Sequence, residues 1–369
     1  DNPDCRHEYF VPLSCLSFYL CPTCHQKRTL LFGENLANEV LFNLPHRQFV
    51  FAIPKALRVF FIHNRMLFAD VSRLIYNIIA EYYDEVSAKR VESAFILSYQ
   101  TAGEFARWHP HFHGLLLEGG FDNEGNFVYL PIANTDKMTE LFRRKIIKLF
   151  TDKKLINEDF AKNLLSWKHS GFSIYNSVRI LSFSQKTKEA LAQYIARAPV
   201  SLDKLTYEPF HSRVLFKSPK YSDYFKENFK VFSALDFIAL VTAHIPPKKK
   251  QYIRRYGLYS SRARAIWDRS EHIQKLAPSG WKEKHGVKSE PEKEESGNLE
   301  SSATNKQKAS TWAKLIKKVY GVDPLHCPKC GSNMKILAII IDPEEAVKIL
   351  KHLVKISRAP PNFDPSSLN

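Results

Sequence analysis

HPHFHGLLL, residues 109–117, places two histidines two positions apart at the head of an apolar run. Side chains alternate across a strand, so His111 and His113 project to one face while Phe112 packs into the other. A strand is therefore expected over 111–117. Two imidazoles side by side on a rigid strand can share one divalent cation and leave open positions for phosphate oxygens. The plainer alternative is a pair of strand histidines making ordinary hydrogen bonds, and taken alone the pair favours it. His109 precedes Pro110, before the strand straightens.

Working outward, SAFILSY (93–99) reads as a second buried strand. Gln100 at its end can supply an oxygen ligand, and mixed nitrogen and oxygen coordination suits Mg²⁺ or Mn²⁺. NFVYL (126–130) is a third strand, after a turn holding Asp122, Asn123 and Gly125. The spacing of Val71, Leu74, Ile75, Ile78 and Ile79 assigns 45–90 to helices. Residues 135–168 are helical, FSIYNSVRI (172–180) returns to strand, and KTKEALAQYIAR (186–197) is a helix that stops near Pro199. More strand follows around 212–216, then a helix over 234–244. Helices and non-alternating strands mixed in this way predict an α+β fold with a core sheet covered by helices.

Charge narrows the function. Lys and Arg number 54 against 38 Asp and Glu, a formal +16, which favours a polyanionic partner and nucleic acid first. His109 then either contacts DNA or shapes its turn. KKKQYIRRYGLYSSRAR (248–264) adds a basic stretch in which Lys248, Lys249, Lys250, Arg254 and Arg255 are candidate phosphate contacts. Tyr252, Tyr256 and Tyr259 are placed to stack on unpaired bases. Failing that stretch, a second basic face lies around Arg107, Arg143, Arg144 and Lys145. No apolar run approaches the ~20 residues needed to span a bilayer, and the polar first residues do not read as a signal peptide. No membrane role and a cytoplasmic location are therefore expected. The chain opens on Asp1 rather than Met, as a fragment lacking its N-terminus would.

Four of the six cysteines fall at Cys5, Cys15, Cys21 and Cys24, and together they can supply four thiolates to zinc. His7 can replace one, and a cysteine upstream of Asp1 could pair with Cys5 instead. Cys327-Pro-Lys-Cys330-Gly is a second knuckle with no second pair nearby. It either binds no metal or shares a site with His326 or another chain. Residues 285–310 are Glu, Lys, Ser and Asn with almost no apolar residues, the composition of a disordered linker. The expected organisation is a zinc-binding module over 1–40, a catalytic domain over 41–245, a basic DNA-contacting extension over 246–284, the linker over 285–310 and a C-terminal CxxC unit over 311–369.

Tyr194, on the helix expected over 186–197, reads by its surroundings either as a core aromatic or as a nucleophile with Arg197 near by for phosphate. GEFARWHPHFHGLLLEGGF (103–121), WKHSGFSIYNSVRI (167–180) and EALAQYIARAPVSLDKLTY (189–207) resemble the histidine and tyrosine regions of a known group. CRHEYFVPLSCLSFYLCPTCHQKR (5–28) resembles its N-terminal zinc module. Residues 234–264 and 325–343 resemble its later segments. That group is the HUH-superfamily rolling-circle transposases of the insertion-sequence-ninety-one and ISCR-like kind.

The resemblance implies a central antiparallel sheet, with His111 and His113 as metal ligands and Tyr194 as the nucleophile that forms a 5′-phosphotyrosine. It implies Mg²⁺ or Mn²⁺ at that site, Zn²⁺ at the N-terminal module and single-stranded DNA, element ends and hairpins included, as the partner. Glu118 stands where Asp is more usual in the group. Some members carry a second tyrosine one helical turn away; Ala190 stands there in this chain, which implies a single-tyrosine enzyme. Two other readings stay open on the residues alone. One is a zinc-ribbon DNA-binding protein with structural histidines, and the other is a plasmid-type replication initiator.

Overall fold

The computed structural model describes residues 4–5, 22–176, 178–180, 190, 193–223, 225–248, 250–287, 317, 323–335, 340 and 342–357. The chain forms two compact units. One spans Arg28–Glu292, and the other joins Asp1–Lys27 to Lys293–Asn369.

In the larger unit the strands β1 (His46–Ala52), β2 (Glu92–Ala102), β3 (Trp108–Phe121), β4 (Phe127–Tyr129), β5 (Ser173–Tyr175) and β6 (Arg179–Ile180) join a later strand, Ile253–Gly257, in one antiparallel sheet. Three further strands, β7 (Leu205–Glu208), β8 (Arg213–Ser222) and β9 (Glu227–Ser233), form a separate sheet, so the strand Ile253–Gly257 is β10. The main sheet runs β10-β2-β3-β1-β5, with β4 added to β3 and β6 to β1. The fold is α+β, with helices packed on a central antiparallel sheet.

Alternation along β3 divides its side chains between two cores. Phe112 and Leu116 point to a layer shared with Phe49, Phe51, Phe95, Leu97 and Tyr99. The helix Leu67–Ser87 covers that layer with Phe68, Val71, Ile75, Ile78 and Ile79, the three-and-four spacing that builds an apolar face. The helix Asp136–Asp152 adds Phe142, Ile146 and Phe150. Each such side chain is worth roughly 1.5–3 kcal/mol when fully buried. On the opposite face Leu115 and Leu117 meet Ala94, Ile96, Leu36, Phe42, Ile195, Tyr259 and Trp267. The small sheet packs Phe216 against Phe105, with Phe225, Phe232 and Phe237 around them.

Two expectations need correction. Residues 46–52 are a strand, not the start of a helical region. Phe49 and Phe51 face the helices, but His46 and Gln48, on the other side, are buried polar residues that hide the period of two. Tyr259 and the Leu44 carbonyl compensate His46: the Tyr259 hydroxyl lies 2.6 Å from Nε2, and the carbonyl lies 2.7 Å from Nδ1. The second correction concerns 246–284. Residues 253–257 are the edge strand of the main sheet, and Tyr259, Trp267, Ile273 and Trp281 belong to its core, so this segment is not an appendage. The expected linker lies outside the described residues beyond 287.

Candidate active site

The expected strand is β3, and it sits between β2 and β1 near the middle of the sheet. Its register sets Gln100 opposite His111 and Ser98 opposite His113 on β2, with Ala52 and Val50 in the same rows on β1. Directly opposed residues share a face. His111, His113 and Gln100 therefore look out on the side away from the helix Leu67–Ser87, while Phe112 is fully buried on the other.

The rings of His111 and His113 lie 4.8 Å apart, inclined at 68°. His111 Nδ1 is 2.7 Å from the carbonyl oxygen of His109. A carbonyl only accepts, so Nδ1 carries the proton and Nε2 keeps its lone pair, the arrangement that prepares an imidazole for a cation. His109 thus shapes the site through its backbone. His113 is buried, and neither of its ring nitrogens has a hydrogen-bond partner among the described residues. Burial pushes the pKa of His113 down to about 3, with the neighbouring His111 adding to the effect. Burial also lowers His111, partly offset by its bond to the His109 carbonyl. Both imidazoles are neutral, as ligation requires.

Across this face lies a helical turn at 193–195. Tyr194 is 41% exposed, whereas Ile195 is fully buried in the second core, so Ile195 and not Tyr194 anchors the turn. The Tyr194 ring stands edge-to-face on His113, with centroids 5.2 Å apart and planes at 84°. Three successive carbonyls of the turn accept bonds from elsewhere in the unit. Gln100 Nε2 donates at 3.4 Å to Tyr194 and 3.5 Å to Ile195, Ser98 Oγ at 3.0 Å to Ile195, and Thr29 Oγ1 at 3.1 Å to Ala196. Gln100 therefore has a positioning contact that its residue type did not reveal, and its amide oxygen is what it can offer a cation. The helix ends before Arg197, which is exposed; residues 186–189, 191 and 192 of the helix expected over 186–197 lie outside the described residues.

Residues 95–265 match the family model described as "Putative transposase", and residues 2–53 match "Transposase zinc-binding domain". The chain is 23% identical over 360 residues to the transposase for insertion sequence element IS801 of Pseudomonas savastanoi pv. phaseolicola, covering 92% of this chain and 78% of that one. The chain belongs to the IS91-like transposase family. A second member, described as "Putative transposase y4qJ" of Sinorhizobium fredii, is 22% identical over 286 residues, 70% of this chain and 69% of its own. No solved structure matches. No helix among the described residues is long and apolar enough to cross a membrane.

Other expected site residues of this family member fall less simply. Lys248 and Lys250 are exposed, and Lys249 lies outside the described residues. Arg254 and Arg255 alternate across the edge strand β10, opposite Leu97 and Ile96, so they cannot follow one DNA backbone from one face. Burial lowers the pKa of Arg255 to about 10, and Arg264 adds to that effect. The tyrosines of this stretch are structural. Tyr259 is fully buried and Tyr256 stacks on Tyr76 at 5.0 Å, so neither offers a free ring to a base. Arg143 and Lys145, proposed as an alternative track, are tied up locally: Arg143 donates to the carbonyls of Leu164, Leu165 and Trp167, and Lys145 pairs with Glu81. Glu118 is a buried strut. Arg47 and Arg179 bond its two oxygens, joining β1, β3 and β6.

Of the expected zinc ligands Cys5, Cys15, Cys21 and Cys24, only Cys5 and Cys24 are among the described residues. Cys24 is buried at the start of the helix Pro22–Glu39 and is not in the thiol cluster that the structure contains. That cluster is Cys5, Cys327 and Cys330, in the smaller unit, with ligand atoms all within 4.8 Å of one another. The CxxC segment expected as a separate C-terminal unit therefore belongs with the N-terminal head.

Proposed function

We propose that the protein is a transposase that nicks and rejoins single-stranded DNA through a covalent 5′-phosphotyrosine on Tyr194, with the HUH pair His111 and His113 as its metal ligands. The observation that carries this reading is the Tyr194 ring set edge-to-face on buried His113, whose two ring nitrogens have no hydrogen-bond partner among the described residues, with the His111 ring 4.8 Å away. His111 Nε2, His113 and the Gln100 amide oxygen are the donors that would hold Mg²⁺ or Mn²⁺. When bound, that ion supplies Lewis acidity to the scissile phosphate.

The protein's own residues do the rest. Tyr194 is exposed enough to meet a strand and is held over the histidines by its backbone. Its phenolic oxygen bonds to phosphorus, the 3′ oxygen leaves as a hydroxyl, and the phenol proton is released. The phosphodiester energy is kept in the tyrosyl ester, so a 3′-hydroxyl can reverse the step without ATP. Arg197, exposed beside the turn, is proposed to contact the phosphate, and Lys248, Lys249 and Lys250 the flanking backbone. The reaction belongs in the bacterial or archaeal cytoplasm, on element ends.

Incubation with labelled single-stranded DNA from the element's ends and Mn²⁺ should give a protein–DNA adduct that denaturant does not dissociate. Tyr194→Phe should give none. An adduct of equal yield from Tyr194→Phe would exclude Tyr194 as the nucleophile.

A further inference from the structure

We propose that Cys5, Cys327 and Cys330 are three thiolate ligands of one structural zinc, so that this family member's zinc centre is assembled from both ends of the chain. The inference is independent of the nicking chemistry. Two of these three thiols lie far outside residues 2–53, the segment that matches the zinc-binding family model.

The spacing fits an ion. Zinc holds thiolates tetrahedrally at about 2.3 Å, which sets neighbouring sulfurs roughly 3.8 Å apart. Cys5 Sγ and Cys327 Sγ are 3.8 Å apart, although 322 positions separate them in the chain. An S–S bond is about 2.05 Å, so this is not a disulfide. A single thiol pair at this distance could be a weak S–H···S contact. The third sulfur, within 4.8 Å of both, changes the count.

The backbone at the C-terminal pair is shaped for ligation. The N–H of Gly331 donates to the Cys327 carbonyl at 2.9 Å, and Gly331 has φ +72°, a conformation that suits glycine. Cys327 N–H to the Ser332 carbonyl and Met334 N–H to the Leu325 carbonyl, both 2.9 Å, close a hairpin across a His326–Asn333 bridge. This knuckle turns Cys330 back beside Cys327. His326, left open as a ligand by the sequence, instead lies 3.5 Å from Asp323 and is not in the cluster.

On binding, each cysteine gives up its thiol proton to solvent and bonds the ion as thiolate.

Differential alkylation of the full-length, zinc-loaded wild-type protein tests this directly. Cys330 is exposed, so geometry alone would leave it reactive. The expected result is that iodoacetamide modifies Cys5, Cys327 and Cys330 slowly together, and that a chelator makes all three reactive together, by ten-fold or more. Cys330 alkylated at one rate with and without chelator would overturn the proposal. In parallel, Co²⁺ is loaded into wild-type protein and the Cys327→Ser, Cys330→Ser double variant. The variant should lose zinc stoichiometry and most of the sulfur-to-cobalt charge-transfer absorbance. Full zinc and an unchanged cobalt spectrum would assign the centre to N-terminal cysteines alone. If the variant does not fold, the wild-type alkylation still decides.

Discussion

His113→Leu separates what this side chain does for the fold from what it does for a cation. The imidazole is buried, its nitrogens have no partner among the described residues, and burial holds its pKa at about 3. An unfolded histidine titrates near 6.5, so between these values the unfolded chain binds the extra proton. The stability contributed by the neutral ring is therefore fully present above about pH 6.5 and is lost as pH falls toward about 3. Taking the two pKa values through the linkage relation, moving metal-free protein from pH 7 to pH 5 should cost wild type about 2 kcal/mol through this residue alone. Leucine has nothing to protonate and escapes that cost. At pH 7 the variant should equal or exceed wild type in EDTA, because an unsatisfied buried nitrogen costs roughly 1–3 kcal/mol. The assay is urea denaturation of both proteins in EDTA at the two pH values, repeated at pH 7 with Mn²⁺. The difference between proteins and between pH values cancels packing changes common to both pH values. A stability gap that does not change with pH would refute the buried neutral imidazole. Retention of Mn²⁺ stabilisation by the variant would refute its part in metal binding.

The double variant His111→Ala, His113→Ala should form no covalent adduct in Mg²⁺ or Mn²⁺ yet bind single-stranded DNA within a few-fold of wild type in a filter assay, since binding rests on dispersed cations. Tyr259→Phe removes the hydroxyl that lies 2.6 Å from His46 Nε2 and 3.0 Å from the Phe42 N–H. It should lower stability by about 1–3 kcal/mol in chemical denaturation, without any effect on adduct chemistry once folded. Gly257→Ala sets a Cβ 1.9 Å from the Ser93 carbonyl at φ +55°, so it should detach the edge strand and cost about 3 kcal/mol or more, read as a fall in soluble yield and melting temperature. Replacing Lys248, Lys249 and Lys250 by Ala should reduce the salt dependence of single-strand binding by a slope of about 0.7 for each phosphate no longer neutralised, and an unchanged slope would remove them from the DNA path.

The strand carrying the histidines was legible because its own residues specify it. Between 111 and 117 one face carries His111, His113, Leu115 and Leu117, the other Phe112 and Leu116 with Gly114 between them, and strand geometry alone puts His111 beside His113. The helix Leu67–Ser87 was equally plain from its apolar spacing. β1 was not, because His46 and Gln48 are buried by partners such as Tyr259 that lie some two hundred positions away. No local pattern can announce such a bond. β10 was misread for a related reason: an edge strand tolerates charge, so IRRYG looked like a solvent-facing basic segment when its pairing with β2 and the burial of Tyr259 made it part of the sheet. The N-terminal cysteines suggested a local zinc site by proximity in sequence, and only the folded chain shows Cys5 beside Cys327. Tyr194 had two readings in sequence, and exposure of its ring with burial of Ile195 removes the core-aromatic one.

The turn bearing Tyr194 is gripped through main-chain oxygens, by Gln100, Ser98 and Thr29, and through the neighbouring Ile195. None of these contacts uses the group at 194 itself. The site thus separates address from cargo. A different side chain installed at 194 inherits the same location over the histidines without rebuilding its support, so serine, cysteine or an unnatural phenol of altered acidity can be compared there on one scaffold. A substitution at Ser98, which has no place among the proposed metal donors, would instead shift the whole turn and blunt any nucleophile it carries.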